Sequence, residues 1–137
     1  MARIMAIDYG TKRVGLAVTD PEKIIATGLT TVSRKELVKF LENYMKKEAV
    51  ECIVVGDPRM GNRNDFISKE ADNFSKELKN KFPDVKVDRM NEMFTSKMAF
   101  QTMIDSGLKK KARKNKALID KISATIILQN YLDRIKK

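Results

Sequence analysis

Residues 5–20, MAIDYGTKRVGLAVTD, set two apolar runs on either side of a short polar turn. Met5, Ala6 and Ile7 lead into Asp8, Tyr9-Gly10-Thr11 reads as the turn, and Val14, Leu16 and Val18 alternate beyond it. This predicts two strands, Arg3 to Tyr9 and Arg13 to Thr19, joined as neighbours. An acidic residue at the end of a buried strand needs a reason. Asp8 is either a turn aspartate that bonds backbone amides near Gly10 or a group placed there for chemistry.

Working outward, Ile25 to Val32 forms a third β-rich stretch, so the first third of the chain is expected to be an antiparallel meander. Ser33 stands three residues before Glu36 in a capping-box pattern, ahead of Leu37, Phe40, Leu41 and Tyr44 at helical spacing, which predicts a helix over about 34–48. Strand and helix then alternate. ECIVVG (51–56) reads as a strand, about 65–80 as a helix with Phe66, Ala71, Phe74 and Leu78 inward, and VKVDRM (85–90) as a strand. Helices over about Ser96 to Ser106 and Ala117 to Ile135 complete the order βββαβαβαα. Strands separated by helices pair in parallel through crossovers, so the expected fold is α/β, a mixed sheet with helices on its faces.

A chain of 137 residues is long enough to bury one core without disulfides or a structural metal, and no linker, repeat or low-complexity tract divides it. Residues 1–137 are expected to form one domain. Cys52, the single cysteine, falls inside a predicted strand and reads as core filler. The chain contains no histidine, which excludes Ser-His-Asp and Cys-His catalysis and histidine-bound zinc. Catalysis would have to use carboxylates, hydroxyls, lysines or a bound metal ion. No apolar run approaches the ~18 residues of a membrane span, and no apolar leader follows the N-terminus, so a cytoplasmic protein without membrane association is expected.

The 28 basic and 18 acidic residues leave a net charge of +10, which points to a polyanionic partner, nucleic acid first. Placement strengthens that inference. KKKARKNK (109–116) holds Lys109, Lys110, Lys111, Arg113, Lys114 and Lys116 with no acid among them, and is expected to be a basic loop that carries phosphate backbone.

Two further carboxylates stand out. Glu92 follows the strand at 85–90, and Asp120 lies near the start of the last helix among Leu118, Ile119 and Ile122. The residues at i+3 and i+4 from Asp120 are Ser123 and Ala124, small enough to let the helix lie close to the sheet with Asp120 turned inward. An inward carboxylate needs a positive partner. That partner is either a lysine or a metal ion shared with Asp8 and Glu92, for which hard oxygen ligands suit Mg²⁺ or Mn²⁺.

Two family resemblances follow. DYGTKRVGLAV resembles the first phosphate-binding hairpin of the actin, sugar-kinase and Hsp70 ATPases, but those proteins enclose nucleotide between two lobes and this chain has room for one. The more extensive resemblance is to the YqgF family, the RNase H-fold pre-16S rRNA nucleases also described as Holliday junction resolvase-like proteins. IDYGTKRVGLAVTD, VVGDP, NEMFTS and IDKISATIILQNYL match its four main motifs in order and spacing over nearly the whole chain. It implies a five-stranded sheet in the order 3-2-1-4-5 and a metal site, for Mg²⁺ or Mn²⁺, on Asp8, Glu92 and Asp120 as catalytic residues. The implied chemistry is attack of metal-activated water on a phosphodiester, with Thr11 and Lys12 at the phosphate. Two departures mark this chain. Asn91 and Met93 flank Glu92 where the family commonly has Asp and Arg, and GDPRMGNRND (56–65), with Asp57 and Arg59, is more polar than the usual Gly-Leu-Pro loop.

The expected function is therefore a metal-dependent nuclease that processes the 5′ end of a 16S rRNA precursor. The alternatives are a Holliday junction resolvase and a non-catalytic RNA-binding module. Junction resolution calls for two symmetric nicks and hence a C2 dimer, whereas an RNA end calls for one site. The helices offer only single apolar stripes, which the sheet consumes, and the net charge opposes self-association, so a monomer is expected.

Overall fold

The computed structural model describes residues 2–10, 12–57, 65–91 and 116–135. Five strands, β1 (Arg3–Tyr9), β2 (Arg13–Thr19), β3 (Ala26–Ser33), β4 (Val50–Asp57) and β5 (Lys86–Asn91), form one sheet in the order β3-β2-β1-β4-β5. β1 pairs antiparallel with β2 and β2 with β3, while β1 pairs parallel with β4 and β4 with β5. The meander, the parallel half and the strand order all agree with expectation. Among the described residues the helices are α1 (Leu37–Lys47), α2 (Asp65–Lys81) and α3 (Lys116–Ile135). No helix among the described residues is long and apolar enough to cross a membrane.

The period of two along the strands splits the core into two layers. Met5, Ile7, Tyr9, Val14, Leu16, Val18, Ile53 and Val55 pack on one face against Leu37 and Leu41 of α1 and Ala71, Phe74 and Leu78 of α2. Ile4, Ala6, Ala17, Cys52 and Val54 face the other way, against Ala124, Ile127, Leu128, Tyr131 and Leu132 of α3. Cys52 is core, as its setting suggested. Bulky residues serve the layer with two helices. Ala6, Ala17 and Cys52 are small where α3 lies close.

The start of the first helix departs from expectation. Residues 34–36 wind as a 3-10 turn before α1, and Ser33 makes no side-chain cap bond. The tighter winding displaces the amides that a capping box would satisfy. The Arg34 N–H instead donates to the Lys12 carbonyl, at 3.0 Å, tying this corner to the β1–β2 turn. The predicted helix at 96–106 and the side chain of Phe66 lie outside the described residues.

The far end of α3 is fastened by polar groups. The Tyr131 hydroxyl donates to Asp88 Oδ2 on β5 at 2.9 Å, and the Arg134 guanidinium lies over the Tyr131 ring and 3.4 Å from the same carboxylate. Burial and the bond to Asp88 both push the Tyr131 hydroxyl well above its ordinary pKa. Burial alone would raise Asp88, but the Arg89 amide, the Tyr131 hydroxyl and the Arg134 charge outweigh it and hold the carboxyl below its usual range. A depressed carboxylate contributes stability above its unfolded pKa and loses it as the pH falls through the folded one. Tyr131→Phe is expected to cost about 1–2 kcal/mol in urea unfolding at pH 7. The gap to the wild type should shrink below the ordinary carboxylate range, and a pH-independent gap would show that packing, not the bond, carries the loss.

Candidate active site

Asp8 is the last residue but one of β1 and shares its face with Ile4 and Ala6, so it points toward α3 rather than toward α1 and α2. In the β1–β2 ladder it stands opposite Gly15. α3 crosses directly over that glycine. A Cβ at residue 15 would overlap the Asp120 carbonyl and lie 3.0 Å from the Lys121 amide nitrogen. Backbone therefore rests on backbone, and the helix residue brought down at this point is Asp120. Ser123 and Ala124 are buried, at 1% and 0% exposure, as their small size suggested.

Asp8, Gly10, Lys12, Arg13 and Asp120 line one cleft of about 170 Å³ at this end of the sheet. Two of the three carboxylates picked out from sequence, and Lys12, are thus brought together by β1, the β1–β2 turn and α3. Glu92, Thr11, residues 109–115 and the side chain of Lys116 lie outside the described residues.

The sequence offered a lysine or a metal ion as partner for Asp120. The cation beside it is an arginine: Arg13 Nε donates to Asp120 Oδ2 at 2.6 Å. With its side chain 41% exposed, Arg13 makes a pair worth ~1 kcal/mol or less. The pair orients Asp120 more than it stabilises the fold. Arg13 was missed although its signal was present. It begins β2, and the residues two and four further on, Gly15 and Ala17, face α3, so period two places Arg13 under the same helix.

Carboxylate oxygens from two separate elements, fixed to a rigid sheet and a packed helix, are donors of the kind hard divalent cations take. Mg²⁺ commonly binds through one or two protein carboxylates with water and substrate phosphate completing its shell, which Asp8 and Asp120 suffice to begin. The described residues contain no group of three or more such ligands.

A five-stranded mixed sheet in this order, with carboxylates at the end of its central strand and on its last helix, defines an RNase H-like protein. Solved structures agree on the fold. The crystal structure of the fowlpox virus Holliday junction resolvase aligns with a TM-score of 0.60 at 12% identity over 96% of this chain and 99% of that one. RuvC of T. thermophilus, in complex with Holliday junction substrate, aligns with a TM-score of 0.58 at 16% identity over 97% and 96%.

Residues 2–134 match the family model described as "RuvX: Holliday junction resolvase", and the chain belongs to this RuvX, or YqgF, family. Among relatives named "Putative pre-16S rRNA nuclease", the Christiangramia forsetii protein is 58% identical over 133 residues, 96% of this chain and 98% of the relative. That of Flavobacterium psychrophilum is 55% identical over 135 residues, 98% of each.

Proposed function

We propose that this chain is a phosphodiester-cleaving hydrolase of the cytoplasm that uses Mg²⁺ or Mn²⁺ to process the 5′ end of a 16S rRNA precursor, acting as a monomeric single domain. The observation that carries the reading is the pairing of Asp8 and Asp120 in one cleft flanked by Lys12 and Arg13. The relatives' naming as pre-16S rRNA nucleases supports the choice of substrate.

Asp8 and Asp120, with Glu92, would hold the ion. When bound, it supplies Lewis-acid chemistry, lowering the pKa of water and neutralising charge on the phosphodiester. The chain's own residues do the rest. Arg13 orients the Asp120 carboxylate and balances its charge. Lys12, exposed beside the cleft, attracts the scissile phosphate, with Thr11 next to it. Lys109, Lys110, Lys111, Arg113, Lys114 and Lys116 hold the strand through phosphate contacts that carry no sequence information.

The family description and the RuvC likeness favour a second reading, junction resolution. Sedimentation at micromolar concentration, with cleavage of precursor RNA and of a four-way DNA junction in Mg²⁺ and Mn²⁺, separates the two. The expected result is a monomer that shortens the precursor 5′ end. A tight dimer making paired symmetric nicks in the junction and leaving the precursor intact would overturn the RNA assignment.

A further inference from the structure

Beside the carboxylate cleft lies a second, larger groove of about 580 Å³, lined by Lys12, Ser33, Arg34 and Lys35. Its origin is topological. β2 begins where β3 ends, and Arg13 is the ladder partner of Ser33, so the β1–β2 turn and the corner leading into α1 stand side by side. The bond from the Arg34 N–H to the Lys12 carbonyl fixes their spacing.

The lining residues have different duties. The Arg34 guanidinium sits 5.0 Å from the centre of the Tyr9 ring and pairs with Glu70 of α2, so its charge is largely compensated and it acts as the strut of the corner. Lys12 and Lys35 are exposed, and among the described residues neither is in an ion pair. The Ser33 hydroxyl is not spent on capping the helix. Glu36, the nearest acid in sequence, lines a separate depression with Lys39, Phe40 and Asn43. Among the described residues, the groove's mainly apolar wall is edged by two ammonium groups that are in no ion pair and by a hydroxyl, and no carboxylate lines it. It shares Lys12 with the carboxylate cleft.

We propose that this corner is a second phosphate subsite, in which Lys35 and Ser33 hold a backbone phosphate of the bound strand next along from the one at Lys12. The strand would then cross the sheet end from the carboxylates over Lys12 toward the start of α1. The proposal rests on the nuclease reading and adds to it the direction in which the strand leaves the site.

The test is binding of a single-stranded RNA oligonucleotide spanning the precursor 5′ cleavage point, in EDTA so that no cleavage occurs. Each phosphate contact contributes about −0.7 to the slope of log K against log[salt] for a single strand. Lys35→Ala is expected to flatten the slope by about that amount. Ser33→Ala should weaken binding without changing the slope. Oligonucleotides carrying one neutral methylphosphonate at successive positions should reveal a single flanking position, beside the scissile one, whose neutralisation weakens wild-type binding several-fold and leaves Lys35→Ala unaffected. Wild-type binding with an unchanged slope in Lys35→Ala, or with equal methylphosphonate losses in both proteins, overturns the subsite alone. Failure of the wild type to bind the RNA overturns the nuclease reading and the subsite with it.

Discussion

Asp8→Asn and Asp120→Asn are each expected to lower the rate of precursor cleavage by about 10³-fold or more, with a circular dichroism spectrum and melting temperature close to the wild type. Each change replaces one carboxylate oxygen by an amide nitrogen of nearly the same shape, so packing is preserved while a charged oxygen donor is lost. A divalent ion contributes several kcal/mol of charge stabilisation at a phosphoryl centre, and about 4 kcal/mol corresponds to about 10³ in rate. The double variant should be little worse than either single one, because ligands of one ion act as a unit. In Asp120→Asn the new amide would still offer an oxygen to Arg13, which keeps the α3 end in place. If both folded variants cleave as fast as the wild type, the carboxylates are not the catalytic site. If the wild type binds the precursor and cleaves nothing in either metal, the RNA-binding module is the better description.

The second large effect is predicted at Gly15, a residue with no chemistry of its own. A methyl group there collides with the main chain of Asp120 and Lys121, and main chain cannot rotate aside as a side chain can. Overpacking of this kind costs about 1–3 kcal/mol in general, and a backbone-on-backbone clash belongs at or above the top of that range. Gly15→Ala is therefore expected to lower the melting temperature by roughly 10 °C. It should also depress cleavage at temperatures where the protein remains folded, because α3 is lifted with its aspartate. Gly28→Ala is the control. Its methyl would meet the flexible Lys121 side chain, at 2.8 Å from Cγ, and Thr125 Oγ1 at 3.2 Å, which can give way. A loss under about 1 kcal/mol is expected there. Equal losses at the two glycines would show that the close approach at Gly15 does not set the helix position.

Why was the sheet legible and part of the site not? Strand period and the helices between strands are local properties, and they announced β1 to β5 and their parallel and antiparallel pairing; the strand order came from the family resemblance. Asp8 and Asp120 could be picked out because a charge in an apolar setting is conspicuous in one dimension. Arg13 and Gly15 could not, since each looks ordinary until α3 is laid over β2. Arg13 passes for a surface charge after a turn, and Gly15 for a gap in a strand. Their meaning is a contact across more than a hundred residues. The unused capping box at Ser33 failed for a related reason, a tertiary bond from Arg34 to Lys12 overriding a local pattern.

The bond from Tyr131 to Asp88 has a consequence at the opposite end of its helix. Residues 120 and 131 are eleven apart, so at 1.5 Å per residue the fastening lies about 16 Å from the carboxylate. A rigid rod held at that distance turns a tilt of about 4° into roughly 1 Å of travel at Asp120. Misplacement on that scale can cost about 10² in rate. α3 is an arm held at its far end by the Tyr131 hydroxyl and the Arg134 guanidinium on one carboxylate, with its near end resting on Gly15. Natural variation at residues 88, 131 and 134 would therefore tune turnover from the far end of the helix.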